Sequence, residues 1–281
     1  MSFKILRKQE LAPAIHLMDI SAPRIAQKAQ PGHFIILRID EKGERIPLTI
    51  ADFSWEKGII TTIFMVVGRT TMRLSGLKAG DELQNVIGPL GNPALIEQGA
   101  TVLFVAGGVG IAPVYPQTRA FREAGNRVVS VIGARNANLL FWEDEMRVVS
   151  DELYVATDDG SRGHHGFVTD LVKEILEGGS NVGKVVAIGP PVMMRSVAGL
   201  TRPFKVKTVV SLNSIMVDGT GMCGACRVLV GNETKYACVD GPEFDAHLVD
   251  FTLLMSRLAM YRAEEKLAAE KYRCEREGCP C

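Results

Sequence analysis

Cysteine is missing from the first 222 residues of this 281-residue chain, and all six cysteines follow. A disulfide scaffold spreads its cysteines through the chain, so that class is excluded. Clustered cysteines in a protein of cytosolic character point to metal or redox chemistry. Net charge is also missing, since 32 Lys and Arg balance 32 Asp and Glu. A nucleic-acid binder would carry a basic footprint. No run of about 18 uncharged apolar residues occurs, so no membrane span is expected. Met1-Ser2-Phe3-Lys4-Ile5-Leu6-Arg7-Lys8 breaks its apolar stretch with charge, so no signal peptide is expected. There is no internal repeat. No acid–base pair or nucleophile constellation stands out, as in proteins whose cofactors carry the chemistry.

What is present is core. Apolar residues make up 47% and charged residues 23%, which excludes disorder. The length suits about two domains. Residues 1 to about 98 read as β. Ala14–Ile20 alternates, and the runs 33–39 and 58–68 are rich in β-branched residues and bounded by Gly or Pro. Short strands between turn signals predict an antiparallel β-barrel. From about 100 the rhythm becomes strand, helix, strand: 101–106, a helix up to Ala124, 127–132, 152–157, a helix near 166–177, and 184–188. Buried strands alternating with helices predict a parallel α/β sheet covered on both faces. Residues 208–245 change again, to short strands and Gly-rich turns. After Asp250, an amphipathic helix is expected from Phe251, Leu254, Leu258 and Tyr261. Residues 263–271 are strong helix formers. The expected units are 1–98, 99–204, 205–245 and a helix with a Cys-containing tail over 246–281.

Asp218, Cys223, Cys226 and Cys238 follow the pattern D-x4-C-x2-C-x11-C. Plant-type [2Fe–2S] proteins use C-x4-C-x2-C with a distant fourth cysteine. Asp218 stands in the first slot, so four anionic ligands are retained. The intervening glycines let backbone N–H groups turn toward cluster sulfurs. A structural zinc site and a chance group of buried thiols are the alternatives.

Gly107-Gly108-Val109-Gly110 follows a strand and opens a helix. That setting suits a phosphate-cradling turn, although glycine-rich βα turns also serve packing. G-x-G-x-x-G is not matched.

The run Gly107–Pro113 resembles the GGxGxxP turn of the ferredoxin–NADP reductase superfamily. Arg45-Ile46-Pro47-Leu48-Thr49 resembles its flavin motif, and Gly68-Arg69-Thr70-Thr71 its flavin-pyrophosphate stretch. Gly189-Pro190-Pro191-Val192-Met193 is similar to its segment near the nicotinamide. The order of units is similar to that of dihydroorotate dehydrogenase electron-transfer subunits. It is more similar still to the small-subunit family of NADH-dependent reduced ferredoxin:NADP oxidoreductases, also called sulfide dehydrogenase subunits, which carry an Asp cluster ligand.

The resemblance implies an FAD-binding barrel, an NAD(P)-binding α/β domain and a [2Fe–2S] arm. It implies Arg45 on flavin phosphate, Pro47, Leu48 and Thr49 along the isoalloxazine, and Gly68, Thr70 and Thr71 on the pyrophosphate. Gly108, Gly110 and Pro113 would border the nicotinamide nucleotide, as would Gly189 and Met193, with Arg135 at the adenosine. Asp158 or Asp159 would sit at a strand end where ligands gather. Arg135 alone would suit NADP(H) and a ribose-binding carboxylate NAD(H); the resemblance tips the choice to NAD(H). The family's cysteine before Gly-Pro is Ile188 here, which removes a thiol from the nicotinamide site. The implied function is an oxidoreductase subunit passing electrons between NAD(H), FAD and a [2Fe–2S] cluster to a larger flavo-iron–sulfur partner. That heterodimer would be cytoplasmic and serve ferredoxin-linked electron bifurcation. The alternatives are a dihydroorotate dehydrogenase electron-transfer subunit and a zinc-stabilised regulatory subunit. Cys274, Cys279 and Cys281 suggest either a second metal site or an exposed terminus.

Overall fold

A computed structural model describes residues 3–277; Cys279 and Cys281 lie outside them. The first third forms β1 (Phe3–Ala12), β2 (Ile15–Ser21), α1 (Pro23–Ala26), β3 (Phe34–Arg38), β4 (Ile46–Thr49), β5 (Asp52–Ser54), β6 (Ile59–Met65), α2 (Arg69–Gly76), β7 (Glu82–Leu83) and β8 (Asn85–Leu90). These strands make two antiparallel sheets, ordered β5-β6-β2-β1-β7 and β4-β3-β8. Their apolar faces close on one core that includes Ile5, Met18, Ile35, Leu37 and Phe64. The central strand β3 is buried from Phe34 through Leu37 because β4 and β8 flank it and both faces are covered.

The next elements are β9 (Thr101–Gly107), α3 (Ile111–Glu123), β10 (Arg127–Ala134), α4 (Glu143–Val149), β11 (Glu152–Thr157), β12 (His164–His165), α5 (Val168–Glu177), β13 (Val182–Ile188), α6 (Pro191–Thr201) and β14 (Lys207–Ser211). The last are β15 (Arg227–Val230), β16 (Glu233–Tyr236), β17 (Glu243–Asp245), α7 (Phe251–Leu258) and α8 (Arg262–Glu277). The large sheet runs β12-β11-β10-β9-β13-β14-β17, parallel throughout except for β17. Its period-two alternation is visible in β9: Leu103 and Val105 face one core, and Val102, Phe104 and Ala106 face the other. Helix α5 answers with a buried stripe of Val168, Leu171, Val172 and Leu176, spaced for one helical face. Strands β14 and β17 carry this sheet past residue 204 into the cysteine-bearing arm.

Chain order β9, β10, β11 grows the sheet in one direction, and β13, β14 grow it in the other. The reversal falls between β9 and β13. In open α/β sheets such a point leaves a crevice outside the carboxyl ends of the strands. The expected helix after Asp250 is two helices. Asp250 caps α7, its carboxylate accepting from the Leu253 N–H at 2.9 Å. The helix ends at Leu258, and Tyr261 lies in the following turn, half exposed. Tyr261 is therefore not part of the buried stripe that Phe251 and Leu254 form. Helix α8 folds back onto α2 of the barrel.

Candidate functional site

A cavity of about 1110 Å³ opens at the crevice between β9 and β13. One wall comes from the barrel, with Pro47, Leu48 and Thr49 of β4. The facing wall comes from the turn Gly107–Gly110 and from Ile188 to Met193. Pro113, Arg135 and Asp158 also line it. The structure thus gathers most of the expected cofactor residues around one space.

The two glycines of the turn serve different ends. A Cβ on Gly110 would lie 2.1 Å from the Ile188 carbonyl oxygen. This glycine lets the start of α3 press against the end of β13. Gly108 has φ +55° and nothing within 4 Å of its Cβ position, so it faces open space.

Other expected residues stand beside the cavity. Arg45 is exposed and off its lining. The Thr71 hydroxyl accepts from the N–H groups of Val67 and Gly68 at 2.9 and 3.0 Å, so it organises the α2 entry. Thr70 donates to the Glu44 carboxylate. The Asp159 carboxylate accepts from the Ser161 N–H at 3.0 Å and hydroxyl at 2.6 Å, which holds its pKa below the usual range. Asp159 thereby shapes a turn, whereas its neighbour Asp158 borders the cavity.

The cavity suits a planar ring system with polar edges. Its lining is mostly apolar, as small-molecule sites usually are. Two of its lining residues, Gln117 and Ser214, each hold a buried polar atom, Oε1 and Oγ, with no partner among the described residues. Buried polar atoms are normally paired, so a ligand bearing hydrogen-bonding edges fits.

The cysteine arm lies directly behind this cavity. Cys226 and Cys238 are buried, with their sulfurs 3.2 Å apart. Burial, reinforced by the Cys226 sulfur, pushes the Cys238 thiol up to about 12. Two apposed thiols of this kind suit a cation that stabilises their thiolates. Cys223 is exposed on the loop above them. The Asp218 carboxylate accepts from the N–H groups of Thr220 at 2.8 Å and Cys223 at 2.9 Å, which lowers its pKa. Gly219, Gly221 and Gly224 carry φ of +76°, +84° and +67°, the left-handed values that wrap this loop tightly. Among the described residues, no three His, Cys, Asp or Glu side chains converge on one point. Two of the four expected ligands are in contact and two stand on the adjoining loop; thiolates with one carboxylate suit iron.

Phe34 and Met216 join the two places. Both line the cavity, and both pack in one apolar cluster with Cys226 and Cys238. Neither carried a signal in the sequence, because each is an ordinary apolar residue of a strand or linker. Gln117 had a usable one: it falls one helical turn after Pro113, on the same face.

The family described as the iron-sulfur cluster binding domain of dihydroorotate dehydrogenase B matches residues 213–250. The oxidoreductase NAD-binding domain family matches residues 104–199. A dihydroorotate dehydrogenase B (NAD(+)) electron transfer subunit homolog from Thermotoga maritima is 47% identical, covering 96% of this chain and 95% of that protein. The electron transfer subunit of Bacillus velezensis is 35% identical, covering 85% and 94%. Among solved structures, a chain of an NADH-dependent reduced ferredoxin-NADP oxidoreductase superposes with a TM-score of 0.91 at 44% identity, covering 96% and 97%. Phthalate dioxygenase reductase shares the fold, with a TM-score of 0.57 at 17% identity, covering 82% and 86%.

Proposed function

The chain belongs to the family of dihydroorotate dehydrogenase B electron-transfer subunits and is an oxidoreductase subunit using FAD, an iron–sulfur cluster and NAD(H); from that premise we propose how its residues divide the work. Residues 1–98 hold the flavin, 99–204 dock the nucleotide and 205–245 carry a [2Fe–2S] cluster, with helices α7 and α8 following. When bound, the flavin supplies the conversion between paired and single electrons, which no side chain can.

The protein's own part is orientation. Pro47, Leu48 and Thr49 support one side of the flavin ring, and Thr49 offers it a hydrogen bond. Arg45, Gly68, Thr70 and Thr71 border its phosphates. Gly108 leaves room for the nicotinamide opposite, and Gly189 and Met193 close that pocket. Arg135 and Asp158 receive the adenosine, Asp158 accepting from a ribose hydroxyl, which favours NAD(H) over NADP(H). Ile188 presents hydrocarbon where relatives in the superfamily place a thiol, so it shields the ring and takes no proton. Asp218, Cys223, Cys226 and Cys238 hold the iron.

The observation that carries this reading is the shared wall of Phe34 and Met216 between cavity and thiols. These two residues belong both to the cavity lining and to the apolar cluster that holds the buried thiols. The cysteine arm carries exposed apolar side chains: Met222 is 89% exposed, and Val217 and Val239 are also exposed. Such a patch suits docking of a larger flavo-iron–sulfur partner that receives single electrons. The partner reaction is ferredoxin-linked transhydrogenation by electron bifurcation, as the structure at 44% identity favours. A dihydroorotate dehydrogenase partner is the second reading, favoured by the names of the relatives at 47% and 35% identity. No helix among the described residues is long and apolar enough to cross a membrane. Paired free thiols suit the reducing cytoplasm, where we place the heterodimer.

Anaerobic purification of the chain with its partner tests the proposal. Flavin and iron in stoichiometric amounts, with flavin bleaching on NADH addition, are expected. Colourless, iron-free protein that ignores NADH would refute it.

A further inference from the structure

Gln117 sits on α3, only 1% exposed, on the same helical face as Pro113. Its Nε2 donates to Glu243 Oε1 at 2.7 Å. Glu243 opens β17 and directly follows Pro242, another residue of the cavity wall. The hydrogen bond therefore ties the nucleotide-binding helix to the cysteine arm, across the cavity's inner edge.

That bond also decides which way the amide points. A carboxylate oxygen accepts, so it takes the NH₂ end and leaves the carbonyl end facing elsewhere. Burial raises the Glu243 pKa, and the Lys184 ammonium and the Gln117 amide only partly oppose that rise. The freed oxygen, Oε1, is buried and has no partner among the described residues, and Gln117 lines the cavity. A buried amide oxygen without a donor is disfavoured. Here it is held in place by a second residue, on a wall built from three separate parts of the chain.

We propose that Gln117 is a binding residue of the cavity, presenting its oxygen to an N–H donor on the edge of a ring cofactor, and that Glu243 is its positioning residue. The inference rests on the function proposed above, which puts two such donors in this space. One is the imide N3–H of the flavin. The other is the carboxamide NH₂ of the nicotinamide. Both are planar N–H donors of similar strength, and the wall residues around Gln117 suit either.

The two sources separate by removing the donor from the ligand, with the wild-type protein unchanged. Protein stripped of flavin is titrated with FAD and with N3-methyl-FAD. Flavin-loaded protein is titrated with NAD⁺ and with 3-acetylpyridine adenine dinucleotide, which keeps the ring carbonyl but lacks the NH₂. One neutral hydrogen bond corresponds to about fivefold in affinity. Binding of N3-methyl-FAD weakened about fivefold assigns the flavin imide, and weakened binding of the acetylpyridine dinucleotide assigns the nicotinamide.

The Gln117→Met/Glu243→Met double variant removes both hydrogen-bonding partners with apolar groups of similar length. It should erase whichever discrimination the wild type shows. Equal affinities within each ligand pair in the wild type would overturn the inference, and so would discrimination that survives the double variant. The proposed function fails differently: FAD and NAD⁺ themselves would not bind.

Discussion

Gly108 and Gly110 stand two residues apart in one turn, yet alanine should harm the protein differently at each. At Gly110 the new Cβ would lie 2.1 Å from the Ile188 carbonyl oxygen and 2.7 Å from its carbon. Both atoms are backbone of a central strand, so no side-chain rotation relieves the clash. The start of α3 must retreat from the end of β13 by about 1 Å to restore ordinary contact. Overpacking of this kind costs about 1–3 kcal/mol, and a rigid backbone puts Gly110→Ala near the upper end. The same retreat misplaces the nucleotide, and an error of about 1 Å lowers a transfer rate by about 100-fold. At Gly108 the methyl meets no protein atom within 4 Å. The cost to folding is the left-handed backbone alone, about 1 kcal/mol. The methyl points into the space kept for nucleotide, so NADH affinity should fall by about tenfold, equivalent to about 1.4 kcal/mol. Urea denaturation and NADH titration of both variants measure these effects. A Gly110→Ala protein as stable as wild type, or a Gly108→Ala protein that binds NADH normally, would refute the assignment of packing to one glycine and ligand space to the other.

Other residues give separate tests. Cys226→Ser should lower bound iron below half of wild type while NADH still bleaches the flavin; iron assay and stopped-flow absorbance check this, and full iron retention would remove Cys226 from the ligand set. Arg119 on α3 pairs with Asp52 of the barrel at 2.7 Å, both partly exposed. Arg119→Leu should therefore cost at most about 1 kcal/mol in denaturation, and a larger loss would mean the pair anchors the domains. Burial lowers the pKa of His33, whose Nδ1 accepts from the Gln30 N–H at 3.0 Å. The unfolded chain then binds a proton more readily than the folded one. The stability that neutral His33 provides is full above about pH 6.5 and is lost as pH falls through its lower folded value. His33→Asn keeps an acceptor without a titration, and it should flatten the acid limb of a stability–pH profile.

How much could be read in advance depended on distance along the chain. The alternation of β9, the stripe of α5 and the D-x4-C-x2-C pattern are local, and backbone periodicity makes such patterns legible without a fold. The motif resemblances likewise named Leu48, Gly108, Asp158 and Met193, which the structure sets around one cavity. Local reading named Thr71 and Asp159 from motifs without showing what their oxygens meet. In the fold each accepts from a neighbouring N–H group and so shapes its own turn. The helix after Asp250 looked continuous because Leu258 and Tyr261 keep helical spacing in sequence across the turn that separates α7 from α8.

The sequence by itself determined the order of the units and the kinds of group they would hold, because spacing and residue chemistry survive without coordinates. The tertiary structure alone decided what lies next to what. Phe34 comes from a barrel strand, Met216 from a linker, and Cys226 and Cys238 from the arm, yet they share one apolar cluster. Gln117 and Glu243 lie 126 residues apart and meet only because α3 packs on the sheet of which β17 is an edge strand. Strand pairing and core burial make those contacts, and they depend on the whole fold at once.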